Sequence, residues 1–252
     1  MAGHSKWANI KRTKGKNDAA RGKMFTKLAR EIIVATKMGG PNPEGNFRLK
    51  TAIQNARAAN MPNDNIQRAI QKGAGGPDSD NLEELVYEGY GPGGVAIMLS
   101  ILTDNRNRTA GEIRHIFSKN EGNLGETGCV SWMFKQKGVL ILEKEKLTMD
   151  EDDLLLLALD KGAEDIKSED EEIIEIYTAP EDFQAVKEAL EEEGLEFSQA
   201  EISMIPENTV VVNDLEQAKL LMRMMDYLDE HDDVQQSYTN FDIAEEIMEQ
   251  LS

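Results

Sequence analysis

Between Phe25 and Ile33 the apolar side chains recur at three- and four-residue spacing, so that Phe25, Leu28, Ala29, Ile32 and Ile33 form one stripe and Lys23, Lys27 and Arg30 the opposite one. This pattern predicts a helix over about residues 19–37, with Asn17 or Asp18 as its N-cap and Met38-Gly39-Gly40-Pro41 as its stop. A second helix fits residues 47–60, with Leu49, Ile53, Ala56 and Ala59 or Asn60 facing inward. A third fits 63–72, with Ile66, Ala69 and Ile70 apolar and Gly73 at its end. Three short amphipathic helices can bury one small core. Ahead of them, Met1 to Asp18 has almost no apolar residues and no periodicity, and reads as an arm that is disordered alone or ordered by a partner.

After the linker Gly73-Ala74-Gly75-Gly76-Pro77 the texture becomes α/β. Residues 85–90 and 95–103 read as strands joined through Gly91-Pro92-Gly93-Gly94, followed by a helix at 109–119 and a strand at 130–134. A new series opens with a strand at 139–142. It continues with a helix at 154–159, strands at 165–167 and 173–177, a helix at 181–193 and a strand at 195–204. That order, β-α-β-β-α-β, is the ferredoxin-like split motif. Strands at 209–212 and 234–239 and helices at 215–228 and 243–251 then complete the strand set begun at Leu85. The expected fold is multidomain α+β: an N-terminal three-helix domain followed by two α/β domains, the last ferredoxin-like and inserted in the second. The boundaries are 1–76 for the arm and helices, 77–135 with 206–252 for the discontinuous domain, and 136–205 for the insert.

Composition narrows the function. The 252 residues are ample for two or three cores at roughly 100–200 residues per domain. No apolar run approaches the ~18 residues of a membrane helix, and the first residues lack a signal-peptide core, so a cytoplasmic protein is expected. The single Cys129 excludes an internal disulfide and a thiolate-cluster zinc site. A net charge of −19 hides a segregation: residues 1–76 carry 15 basic and 4 acidic side chains, a balance of +11, and residues 77–252 carry 13 and 43, a balance of −30. Local charge sets the local field, so the basic end is read as a module for a polyanion despite the acidic total.

Several motifs carry a resemblance. The opening Ala2-Gly3-His4-Ser5-Lys6-Trp7-Ala8-Asn9-Ile10-Lys11, continued by Lys14-Gly15-Lys16, resembles the YebC/PmpR family of bacterial regulators, whose mitochondrial relatives act as translational activators of cytochrome c oxidase. Met61-Pro62-Asn63-Asp64-Asn65-Ile66, Tyr87-Glu88-Gly89-Tyr90-Gly91-Pro92-Gly93-Gly94, Thr103-Asp104-Asn105-Arg106-Asn107-Arg108-Thr109 and Gly125-Glu126-Thr127-Gly128-Cys129-Val130-Ser131-Trp132 are similar to it as well. The resemblance implies three domains, a basic helical one first, and no enzymatic activity. It implies a DNA-binding transcriptional regulator, or, as for some members, a ribosome-associated translation factor that relieves stalled elongation.

The candidate nucleic-acid-binding set is Lys6, Trp7, Lys11, Arg12, Lys14, Lys16, Arg21, Lys23, Lys27 and Arg30. Lysine and arginine displace condensed counterions from phosphates, and Trp7 and Arg12 are suited to stack on unpaired bases. The expected partner is DNA or ribosomal RNA, with the transcription machinery or the ribosome behind it. Asn63, Asn65, Gln67 and Arg68 of the third helix are of the types that read base edges. Asn105, Arg106 and Arg108 precede a helix N-terminus: an anion site, or a cap at Asn107 or Thr109 with arginines paired to carboxylates. Gly91 to Gly94 reads as a turn rather than a phosphate nest, and Cys129 as packing. Residues 221–225 read as a methionine-rich core face or a partner groove. His4, His115 and His231 show no ligand spacing, and no phosphate loop or nucleophile elbow occurs, so no metal, cofactor or catalytic site is expected.

Overall fold

The computed structural model describes residues 18–75 and 82–251. Three helices come first: α1 (Asp18–Gly39), α2 (Phe47–Ala58) and α3 (Asn63–Gly73). Ile32, Leu49, Ile53, Ile66 and Ile70 form their common core, with Phe25, Leu28 and Ala29 packed against its edge. One buried amide sets the α1–α2 corner. The Asn46 side chain caps α2 by accepting from the Leu49 amide (3.1 Å) and donates to the carbonyls of Ala35 and Gly40 (2.7 and 2.9 Å). A side chain at Gly39 would stand 2.6 Å from that amide, and Gly40 takes a positive φ of 86°, so the Gly-Gly pair is what lets the chain turn there.

The next sheet has the order β3-β1-β2-β9, antiparallel throughout, with β1 (Glu83–Tyr90), β2 (Ala96–Thr103), β3 (Asn123–Leu124) and β9 (Val234–Thr239). Val95, Ile97, Leu99 and Ile101 alternate onto one face, where α4 (Arg106–Lys119) supplies Ile113 and Phe117 and α7 (Leu215–Glu230) supplies Leu221, Met224, Met225 and Leu228. The methionine-rich run of α7 is thus core and not a groove. Two short strands, β8 (Val210–Val212) and β10 (Phe241–Ile243), pair in parallel, and α8 (Glu245–Leu251) follows. The expected helix start at Ile243 is corrected here: Phe241 and Ile243 are buried strand positions. Gly91 to Gly94 is a hairpin turn in which the Gly91 amide donates to the Val95 carbonyl at 2.8 Å, and Gly93 and Gly94 both take positive φ.

The strand expected at 130–134 does not exist. Ser131–Met133 is one turn of 3-10 helix, and a single long strand β4 (Phe134–Glu143) begins after it. The buried Glu88 carboxylate decides this, because it accepts from the amides of Gly128 and Val130, both at 2.8 Å, and so takes Val130 out of any strand ladder. From β4 the chain runs through α5 (Glu151–Asp160), β5 (Asp165–Lys167), β6 (Ile173–Thr178), α6 (Phe183–Glu192) and β7 (Gln199–Pro206). The sheet order β5-β6-β4-β7, all antiparallel, is that of the ferredoxin-like fold. Leu140, Leu142, Ile174 and Ile176 meet Leu154, Phe183, Val186 and Leu190 of the two helices.

The chain forms two compact units, one of residues 131–209 and one in which the helical module packs with the first sheet. No described helix is long and apolar enough to cross a membrane.

Candidate nucleic-acid interface

Of the candidate set, Lys6, Trp7, Lys11, Arg12, Lys14 and Lys16 lie outside the described residues, as does Asn17, and the Arg21 side chain is likewise not described. The remaining three are engaged within the chain. Lys23 donates to the Glu230 carbonyl (3.2 Å), Lys27 to the Asp229 carbonyl (2.7 Å), and Arg30 to the Asp232 carbonyl (2.6 Å) and the Asp233 carboxylate (2.7 Å). Helix α7 ends at Glu230, where unsatisfied carbonyls and the negative end of the helix dipole attract cations. The basic stripe of α1 is therefore a cap on α7, closed over its acidic exit, rather than a free face.

Asp233 is the centre of this contact. Its carboxylate, 3% exposed, accepts from Arg30, from Arg108 (2.8 Å), from the Thr109 hydroxyl (2.7 Å) and from the Thr103 hydroxyl (3.2 Å). Burial alone would raise its pKa. The hydrogen bonds from Thr109, Arg108 and Arg30 outweigh that and hold it at about 2. Here the motif Thr103 to Thr109 finds its role: Asn105 caps α4 by accepting from the Arg108 amide (3.1 Å), in place of the expected Asn107 or Thr109. Arg108 also pairs with Asp104 at 2.9 Å. Thr109 is free to turn inward to Asp233 because it does not cap.

Glu112, His231 and Asp233 bring three potential ligand atoms within 4.8 Å of one another. Each is already committed. His231 Nδ1 accepts from the Asp233 amide (3.1 Å), which places its proton on Nε2, and Nε2 donates to Glu112 (2.9 Å). Two guanidinium groups occupy Asp233, so the cluster is an ion-pair network in which arginine stands where a cation would. Cys129, half-buried, has its thiol pushed up by burial and by the nearby Glu88 carboxylate, which makes it a poor nucleophile.

The cations that do face solvent were not singled out as contacts in the sequence, Arg68 excepted. Lys37 closes α1; Lys50 and Arg57 share a face of α2 with Gln54; Arg68 sits on α3 beside exposed Asn63, Gln67 and Gln71, with Asn65 half-buried. Lys37, Lys50, Arg57 and Arg68 have no ion pair or side-chain hydrogen bond among the described residues. Lys37, Lys50 and Arg57 have no acid within four positions in the sequence, whereas Arg68 follows Asp64 by one helical turn and still makes no ion pair with it; Glu31 is held by Arg48.

Comparison with known proteins matches residues 5–76 to the TACO1/YebC protein N-terminal domain and residues 82–241 to the TACO1/YebC second and third domain. A probable transcriptional regulatory protein of Desulfitobacterium hafniense is 62% identical over 250 residues, covering 99% of each chain. One from Syntrophomonas wolfei is 56% identical over 252 residues, covering all of both. The crystal structure of a conserved hypothetical protein from Aquifex aeolicus superposes with a TM-score of 0.81 at 52% identity, over 92% of this chain and 94% of that one. On matches that run nearly end to end, the chain belongs to the TACO1/YebC family.

Proposed function

We propose that this protein is a non-enzymatic transcriptional regulator of the cytoplasm that binds DNA through its basic N-terminal module. The observation that carries the reading is the second set of cations. With Lys23, Lys27 and Arg30 satisfied internally, Lys37, Lys50, Arg57 and Arg68 still stand exposed and unpaired on the three helices. The arm lysines and Arg12 add to that field. The relatives from Desulfitobacterium and Syntrophomonas bear names in keeping with it. Exposed Gln67 and Arg68 on α3 are suited to base edges.

With about six phosphates neutralised, affinity for duplex DNA falls with the logarithm of salt at a slope of about −5. The triple variant K50Q/R57Q/R68Q makes that slope shallower by about 2.7, at ~0.9 per contact. A parental slope in the triple variant refutes the assignment of these residues. A second reading, in which the same module holds ribosomal RNA during translation, draws on Trp7 among the arm lysines, an aromatic suited to stack on unpaired bases. Binding to duplex DNA and to ribosomal RNA fragments at matched salt separates the two.

A further inference from the structure

A cleft of about 430 Å³ opens between α1, α2 and the first sheet, within the size range of small-ligand sites. On the sheet side it is lined by Ser100 of β2 and by both Gln235 and Gln236 of β9. Successive strand residues normally point to opposite faces, and a β-bulge is what puts these two on one. Ser100 pairs with Gln236 and Ile101 with Val234, so Gln235 is the extra residue. The arrangement leaves hydrogen-bonding capacity unused. The Gln235 amide nitrogen is closed to solvent and has no hydrogen-bond partner among the described residues. The Gln236 side-chain oxygen accepts from the Tyr238 hydroxyl, while its NH₂ group is unclaimed among the described residues.

On the helical side, Phe47, Thr51 and Asn55 follow one another at four-residue spacing and form a strip of α2 along the cleft. Phe47 is 60% exposed, and the exposed Asn55 carboxamide is engaged at neither end among the described residues. The charged lining is already spent. Arg48 is held by Glu31 at 2.7 Å and also by Glu84, and Lys27 by the Asp229 carbonyl at 2.7 Å. Glu31 is the one carboxylate among the lining residues. What the cleft offers is therefore an aromatic face and a set of uncharged donors and acceptors.

We infer that this cleft holds two consecutive nucleotides of a single strand, one base stacked on Phe47 and the next, an adenine, read by Asn55. A carboxamide pairs with adenine N6 and N7 through one acceptor and one donor. Guanine calls for the two donors of an arginine or lysine, and those are spent here. Gln236 faces the same bases across the cleft, and a base acceptor would satisfy the Gln235 nitrogen once that side chain turns outward. Phe47 and Asn55 are eight residues apart, about 12 Å along the helix axis, against about 3.4 Å between stacked bases of a strand. Neighbouring bases span that distance only when pulled out of their stack, which selects an unpaired strand over a duplex. The next strip of α2 provides for the phosphates: Lys50 stands three residues from Phe47, and Gln54 and Arg57 continue the row. The inference thus rests on the reading above for Lys50 and Arg57 as phosphate contacts, and adds the bases.

The test uses the full chain and fluorescent nonamers of uridine with a central adenosine or a central cytidine, and their deoxy counterparts, with anisotropy read across a salt series. The parent is expected to bind the adenosine strand about tenfold more tightly than the cytidine strand. N55A/Q236A is expected to cut that preference below about twofold, and F47A to weaken both strands about tenfold. Each variant should keep the parental salt slope and melting temperature, since no charge and no core contact is removed. An adenine preference in either series supports the site, and the tighter series identifies the polymer. Equal affinity for the two strands in both series, or parental affinity in F47A, overturns the inference. A shallower slope of K50Q/R57Q/R68Q on duplex DNA then leaves the N-terminal reading standing. A parent that binds the duplex and ignores single strands overturns it as well, and one that ignores every nucleic acid removes both.

Discussion

Replacing Asp233 by Asn tests whether the contact between α1, α4 and the end of α7 is held by charge. The wild-type carboxylate is buried and accepts from two arginines and two threonines. Lowering its pKa from 3.8 to about 2 amounts to about 2 kcal/mol in favour of the ionised form. That figure includes a discount for screening, since the Arg108 partner is 41% exposed. Asparagine keeps the shape but removes the charge and turns an NH₂ toward Arg30 or Arg108, for an expected loss of about 2–3 kcal/mol at pH 6. The sign of the pH dependence follows from the depressed folded-state value. The stabilisation is complete above the unfolded value near 3.8 and disappears as pH falls through about 2. Urea denaturation of parent and variant, followed by far-ultraviolet circular dichroism, should therefore show a gap that narrows by more than about 1 kcal/mol between pH 6 and pH 2.5. A gap that is constant over that range, or below about 0.5 kcal/mol at pH 6, refutes the electrostatic account.

Two further outcomes follow from packing and from the thiol. In Gly138→Ala, the added methyl would clash with the Thr178 hydroxyl oxygen and stand 2.6 Å from a Phe183 ring carbon, at the β4–β6 pairing. A loss of about 1–3 kcal/mol is expected on denaturation, and an unchanged midpoint would mean that the sheet gives way more easily than its packing indicates. For Cys129, burial and the Glu88 charge raise the thiol pKa, so iodoacetamide should alkylate the folded protein more slowly at pH 8 than a free thiol. The rate should rise to the free-thiol value in denaturant; equal rates in both states contradict the burial argument.

Much of the fold was legible because it is periodic. The strands at 165–167 and 234–239 fall where the pattern put them, and the inward residues of the three N-terminal helices do form one core. The errors share a cause, which is that a partner far away in sequence decided the outcome. Val130 reads as a strand residue until Glu88, 42 positions earlier, takes its amide. Ile243 reads as a helix start until Phe241 to Ile243 pairs with Val210 to Val212. Lys27 and Arg30 form a basic stripe on paper, and nothing local says that residues some 200 positions later will cover it. The exposed set on α2 and α3 is the converse case: these cations remain unclaimed because no carboxylate of the described residues pairs with them, Asp64 one turn before Arg68 included. Residue type and spacing located the basic module, but which of its charges stay available is a property of tertiary contacts alone.

The doorway through which residues 131–209 leave and re-enter the rest of the chain is narrow. Phe134 lies directly across from Pro206, and the Glu207 amide donates to the Met133 carbonyl at 2.8 Å. Once that unit has folded, its host sees a tether of a few residues in place of a floppy span of 79. By the logarithmic dependence of ring closure on length, the saving is about 3 kcal/mol. Assembly of the sheet that joins β2 to β9 across the gap is thereby favoured after the interruption has formed, not before it. During synthesis residues 131–209 emerge ahead of β9, so their folding would bring the two flanks together before β9 joins β2.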